Sequence, residues 1–120
     1  MTRDKSIKLV EATIKGLQEK KAIDIVTINL TKIENTLCKY FVICNGTSNT
    51  HVDALTDSVI ETVVKTCDDK PIHVEGKGNS LWVLIDYADV IVHIFQKDQR
   101  NLYQLEDLWI DAEATNINEH

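Results

Sequence analysis

Trp82-Val83-Leu84-Ile85-Asp86-Tyr87-Ala88-Asp89-Val90-Ile91-Val92-His93-Ile94-Phe95 sets two apolar, β-branched stretches around a short polar turn, which is the pattern of one long hairpin. Val83 and Ile85 alternate with Trp82, Leu84 and Asp86, and Val90, Val92 and Ile94 alternate with Ile91, His93 and Phe95. Each strand therefore offers apolar groups to both faces of a sheet, whereas a sheet with one wet face would alternate apolar with polar residues. Helices can cover one face. The other must be buried by more helix or kept for a partner, so the hairpin is the first place to look for function.

The surrounding pattern supplies the covering elements. Ile7, Val10, Ile14 and Leu17 recur at helical spacing, which predicts an amphipathic helix over residues 5–20. Residues 23–30 alternate as a strand, and Tyr40-Phe41-Val42-Ile43-Cys44, ending at Asn45-Gly46, reads as a buried strand that stops at a turn. Thr47, Ser48, Asn49 and Thr50 offer helix caps ahead of Val52, Leu55, Val59 and Val63, the stripe of a second long helix reaching about Lys65. Asp68-Asp69-Lys70-Pro71 breaks it. Ile72-His73-Val74-Glu75 is a short strand, and Gly76-Lys77-Gly78 permits a bend into the hairpin. After Phe95, Asp98 can cap a last helix carrying Leu102, Leu105 and Trp109, and the polar residues 113–120 read as a disordered tail. The expected architecture is α+β: a single domain over residues 1–112, with helices packed on one mixed sheet of about five strands.

Composition narrows the function classes. With 120 residues, 43% hydrophobic and 27% charged, the chain suits one globular core. No apolar run approaches a bilayer span, and the first residues begin an amphipathic pattern instead of a signal sequence, so a cytoplasmic protein is expected. Cys38, Cys44 and Cys67 are odd in number and form no Cys-x-x-Cys pair, which points to reduced thiols. Residues 67–120 carry four Lys/Arg against eleven Asp/Glu, a surplus that opposes a polyphosphate backbone and favours a basic protein partner.

No pattern names a chemistry. Asp86 and Asp89 at the hairpin turn could hold Mg²⁺ or serve as acid and base, yet aspartate in turns more commonly bonds nearby backbone N–H groups. Gly46-Thr47-Ser48 could receive a phosphate at a helix N-terminus, but the loop lacks a Walker lysine and a Rossmann glycine pattern, and helix capping explains it. His51, His73, His93 and His120 have no metal-ligand spacing. Cys44 and His93 could meet across strands, although no third group to orient them is evident. No metal and no cofactor are expected. Trp82, Tyr87 and Trp109 are the aromatic groups whose exposure would mark an interface, and partner contact and plain core both fit Trp82.

Four segments together closely resemble the ribosomal silencing factor family, also called RsfS or Iojap: residues 40–52, Val74-Glu75-Gly76, residues 82–95 and residues 102–109. The resemblance spans nearly the whole domain. It implies a binding protein instead of an enzyme, one that attaches to the large ribosomal subunit through ribosomal protein fourteen at the intersubunit face. Blocking the joining of the small subunit would then repress translation. The family fold looks like that of nucleotidyltransferases. Here, however, Gly46-Thr47-Ser48 leads into a helix with only Asp53 and Asp57, without a short-spaced carboxylate pair on a neighbouring strand. Tyr87-Ala88 also stands where relatives often carry glycine beside the aspartate.

Two functions from different classes follow. One is an interaction protein that anchors with Trp82, Leu84 and Tyr87 and steers with Glu75, Asp86 and Asp89, and that pairs with itself as a homodimer when free. The other is a phosphate-handling enzyme built on Gly46, Thr47, Ser48, Asp86 and Asp89. They differ in geometry: convergence of the two aspartates on the Gly46 loop in a cleft favours the enzyme, and separation on an open face favours binding.

Overall fold

A computed structural model describes residues 5–33, 38–99 and 113–117. Among the described residues, helices α1 (Lys5–Glu19) and α2 (Asn49–Cys67) accompany strands β1 (Ile23–Asn29), β2 (Tyr40–Gly46), β3 (His73–Glu75), β4 (Trp82–Asp86), β5 (Val90–Gln96) and β6 (Glu113–Asn116), and residues 97–99 are helical. The strands form one sheet in the order β3-β4-β5-β2-β1-β6. Among the described strands only β2 and β5 run parallel; the other neighbouring pairs are antiparallel.

The central position of β5 and β2 explains their composition. A strand with neighbours on both edges and cover on both faces needs apolar side chains at every position. Val90, Val92 and Ile94 point toward the helices, joining Val42, Cys44, Val83 and Ile85 in a core closed by Leu9, Ala12 and Leu17 of α1 and Val52, Leu55, Val59 and Val63 of α2. Helix α1 sits tightly on α2. A Cβ added at Gly16 would lie 3.0 Å from the Ser58 carbonyl oxygen, and Ser58 Oγ donates to the Gly16 carbonyl at 2.7 Å.

Local signals fix the helix ends. Ser48 is the N-cap of α2, its hydroxyl accepting from the His51 N–H at 3.1 Å. Asp68 closes the same helix in the left-handed conformation, its N–H donating to the Val64 carbonyl. Lys21, with φ of 59°, ends α1 in the way a glycine usually does: Ala22 N–H reaches back to Leu17 O and Lys21 N–H to Gln18 O.

Residues 113–116, expected to fray, form β6 against β1, with Thr115 opposite Thr27 and Ala114 opposite Ile28. The sheet thus has six strands where five were expected. An edge strand is held by backbone ladder bonds and needs no apolar alternation, which is why Glu-Ala-Thr-Asn gave no signal. The helix expected around Leu102, Leu105 and Trp109 lies outside the described residues. No helix among the described residues is long and apolar enough to cross a membrane.

Candidate functional site

The second face of the sheet, opposite α1 and α2, is built by the alternate residues of the same strands. Registers align them in rows: Trp82 beside Phe95, Glu75 beside Leu84 beside His93 beside Ile43, and His73 beside Asp86 beside Ile91 beside Phe41. Val26, Ile28, Leu30, Ile43 and Phe95 are buried here as a second apolar cluster, with Phe41 and Trp82 packed against it and half-buried. Leu84 and Ile91 are half-buried too. The composition is apolar and aromatic at the centre and acidic toward the β3–β4 edge.

Aromatic stacking fixes the centre. Trp82 stacks on Phe95 with ring centroids 5.2 Å apart, and His93 meets Phe41 edge to face at 4.9 Å. The Trp82 indole Nε1–H donates to His93 Nδ1 at 3.2 Å. That bond places the imidazole proton on Nε2, and among the described residues Nε2 has no hydrogen-bond partner. Burial holds the His93 pKa at about 4, so the ring is neutral at physiological pH.

The hairpin turn is a built structure. Asp86 Oδ1 accepts from the Ala88 N–H at 2.7 Å, and Tyr87 N–H donates to the Val90 carbonyl at 2.9 Å. The Asp89 carbonyl accepts from the N–H groups of Lys39 and Tyr40 and from the Cys38 thiol at 3.3 Å, pinning the turn to the start of β2. Burial is the main cause that pushes the Cys38 thiol pKa up. Ala88 has φ of 71°, a left-handed conformation that suits glycine. Ala88→Gly is therefore expected to stabilise the fold by about 0.5–1 kcal/mol, the relief of a left-handed Cβ less the added chain entropy, read as a higher urea midpoint.

Of the residues singled out from sequence, Trp82, Leu84, Asp86 and Glu75 lie together on this face, with Glu75 bonded to His73 Nε2 at 2.7 Å. Tyr87 does not. That residue is 6% exposed and belongs to the helix-side core, and burial raises its hydroxyl pKa far above the ordinary value. A turn between two aspartates reads as exposed, but the chain reversal swings this side chain over the helix side. Asp89, half-buried at the turn, contributes its backbone carbonyl to the structure. Sequence reasoning missed Phe41 and Ile91 as members of the face, because the parallel register that joins β2 to β5 is non-local.

The geometry also separates the groups of the enzyme alternative. Tyr40 pairs with Val90 and Gly46 with Gln96, so the Asp86–Asp89 turn and the Gly46 loop sit at opposite ends of the parallel pair, about 20 Å apart along the strand. The Gly46-Thr47-Ser48 loop is itself occupied as a cap: Thr47 N–H donates to His51 Nδ1 at 2.9 Å, and a Cβ at Gly46 would lie 2.9 Å from Val52 Cγ2. Cys44 and His93 fail as a nucleophile and base, since Cys44 packs in the helix-side core and His93 points from the other face.

Comparisons with known proteins show the family. Residues 3–120 match the family model described as ribosomal silencing factor during starvation. The chain belongs to that family. A ribosomal silencing factor from Halalkalibacterium halodurans is 34% identical over 112 residues, covering 91% of this chain and 92% of that protein. A crystal structure of a protein from Chromobacterium violaceum superposes with a TM-score of 0.80 at 30% identity, covering 86% and 84% of the two chains. A mouse protein named for mitochondrial assembly of the ribosomal large subunit is 28% identical over 102 residues, and those residues are 44% of its length. For this silencing factor, the resemblance seen in residues 40–52 and 82–95 is thus a family membership extending over almost the whole chain.

Proposed function

We propose that the second face of the sheet docks on the large ribosomal subunit through ribosomal protein fourteen, a basic protein at the intersubunit surface, and keeps the small subunit from joining. The observation that carries this reading is the pairing on one face of half-buried Trp82, Leu84, Phe41 and Ile91 with the carboxylates Glu75 and Asp86. Aromatic and aliphatic groups in a desolvated centre supply affinity, and acidic groups at the edge steer a basic partner. A relative named for assembly of the large subunit supports attachment to that subunit. Blocking by occupancy needs volume and affinity only, so the cytoplasmic protein acts without metal, nucleotide or catalysis. Adding it to purified subunits should lower the yield of joined ribosomes in light scattering, unchanged by nucleotide; undiminished joining at saturating protein would overturn the reading.

The edge carboxylates give a separable result. Asp86→Asn keeps the oxygen that accepts from Ala88 N–H, so the double variant Asp86→Asn, Asp89→Asn retains the turn while removing two charges. It is expected to slow association with large subunits several-fold at low salt and to flatten the salt dependence, with little change in dissociation. Stopped-flow binding at two ionic strengths checks this. In the free protein the same face is proposed to pair with a second copy, and sedimentation equilibrium should show a dimer that large subunits dissociate.

A further inference from the structure

The strap between β3 and β4 is fastened to α2, on the far side of the sheet from the proposed interface. Ser80 is fully buried at φ of 56°, and its hydroxyl donates to the Asp53 carboxylate of α2. Lys77 Nζ donates to Asp57 Oδ1 at 2.5 Å, one helical turn further along. The strap closes on itself through the Ser80 N–H to the Gly76 carbonyl at 3.0 Å. It also lies directly on the backbone of Trp82: a Cβ added at Gly76, where φ is 89°, would stand 2.1 Å from the Trp82 carbonyl oxygen. Leu81 then hands its carbonyl to the Gln96 N–H, which sets the first rung of β4 against β5. A buried side chain in a left-handed conformation, bonded to a helix, is a costly arrangement that surrounding structure must maintain.

We infer that Ser80 and Asp53 are positioning residues for Trp82, so that α2 sets the pose of an interface residue whose side chain lies on the opposite face of the sheet. Two links carry the effect. Ser80 fixes where β4 begins, and the start of β4 fixes the indole so that Nε1–H reaches His93 Nδ1. Loss of the Ser80 hydroxyl frees the strap, lets the first residue of β4 shift, and loosens that indole bond. The surface pair Lys77 and Asp57 adds little, because exposed ion pairs contribute weakly. The assignment of Trp82 to partner binding rests on the proposed function; its positioning by the strap does not.

The test reads both parts. Hydrogen exchange of the Trp82 indole N–H, assigned by its loss in Trp82→Phe, should accelerate about tenfold in Ser80→Ala and Asp53→Ala and return toward the parent rate in Asp53→Asn, which keeps an acceptor. Large-subunit affinity should fall about tenfold in Ser80→Ala but change less than about twofold when Ser80→Ala is added to Trp82→Ala, the coupling expected of residues in one network. A lower melting temperature with unchanged indole exchange would make Ser80 merely structural and overturn the inference. Equal loss of affinity with and without Trp82 would do the same. If the parent protein binds no large subunit, the proposed function fails while the exchange result still decides the positioning.

Discussion

Lowering the pH from 6.5 to 4 is expected to cost the folded protein about 3 kcal/mol through His93 alone. The ring is 5% exposed among Trp82, Phe41 and Phe95, and burial lowers its pKa from 6.5 to about 4. Well above pH 6.5 the imidazole is neutral in both folded and unfolded chains, and this group gives no pH dependence. Between 6.5 and 4 the unfolded chain takes up a proton that the native state refuses, so the free energy of unfolding falls as pH falls. Below about 4 the effect of this group is complete. Protonation would also put a proton on Nδ1, which now accepts from the Trp82 indole, leaving two donors facing each other. Urea unfolding at pH 7, 6, 5 and 4, compared with His93→Gln, isolates the contribution, since His51, His73 and His120 are common to both proteins. Equal pH slopes in the two proteins would show that His93 does not resist protonation.

Replacing Trp82 by Ala is expected to weaken large-subunit binding by about 2 kcal/mol or more, roughly a thirtyfold rise in Kd. The same change should cost about 1–3 kcal/mol of stability, below the 3–5 typical of a fully buried tryptophan, because the ring is half-buried and stacked on Phe95. Trp82 is thus neither a bare surface anchor nor a plain core residue. Its inner part packs on the second apolar cluster, and its outer part is what we propose the partner meets. Trp82→Phe separates these roles: it keeps a ring for the Phe95 stack and loses the Nε1–H donor to His93, so stability should recover more than affinity.

The hairpin, the two helices and the apolar face of α2 were legible because each writes its period into the sequence. Val52, Leu55, Val59 and Val63 of α2 face the sheet at helical spacing, and Ser48 is where a cap belongs. The stripe expected for α1 is turned: Leu9, Ala12 and Leu17 face the core, Val10 and Ile14 are half-buried and Ile7 is exposed, because the small residues Ala12 and Gly16 are the ones that let α1 lie close against α2. What the period cannot convey is pairing between distant strands. The parallel join of β2 to β5 puts Phe41 beside Ile91, and no local pattern announces it. Backbone-held elements are equally silent, as with β6, whose ladder to β1 needs no particular side chain. The site was half legible for a related reason. Trp82, Leu84, Asp86 and Glu75 follow from alternation within β3 and β4, whereas the direction of Tyr87 depends on the turn's conformation, with Ala88 at positive φ. Asp86 shows how two readings of one residue coexist: its Oδ1 caps the turn through Ala88, and its carboxylate charge still lies at the edge of the second face.

Equilibrium titration of purified large subunits with labelled protein, comparing the parent with Trp82→Ala and with Val64→Ala, tests the central claim that the second face is the docking surface. Val64 is exposed on α2, on the opposite side of the sheet. Saturable binding by the parent is expected, with the same affinity within about twofold for Val64→Ala and about thirtyfold weaker binding for folded Trp82→Ala. Unchanged affinity of Trp82→Ala, with its fold intact by circular dichroism, would contradict that claim.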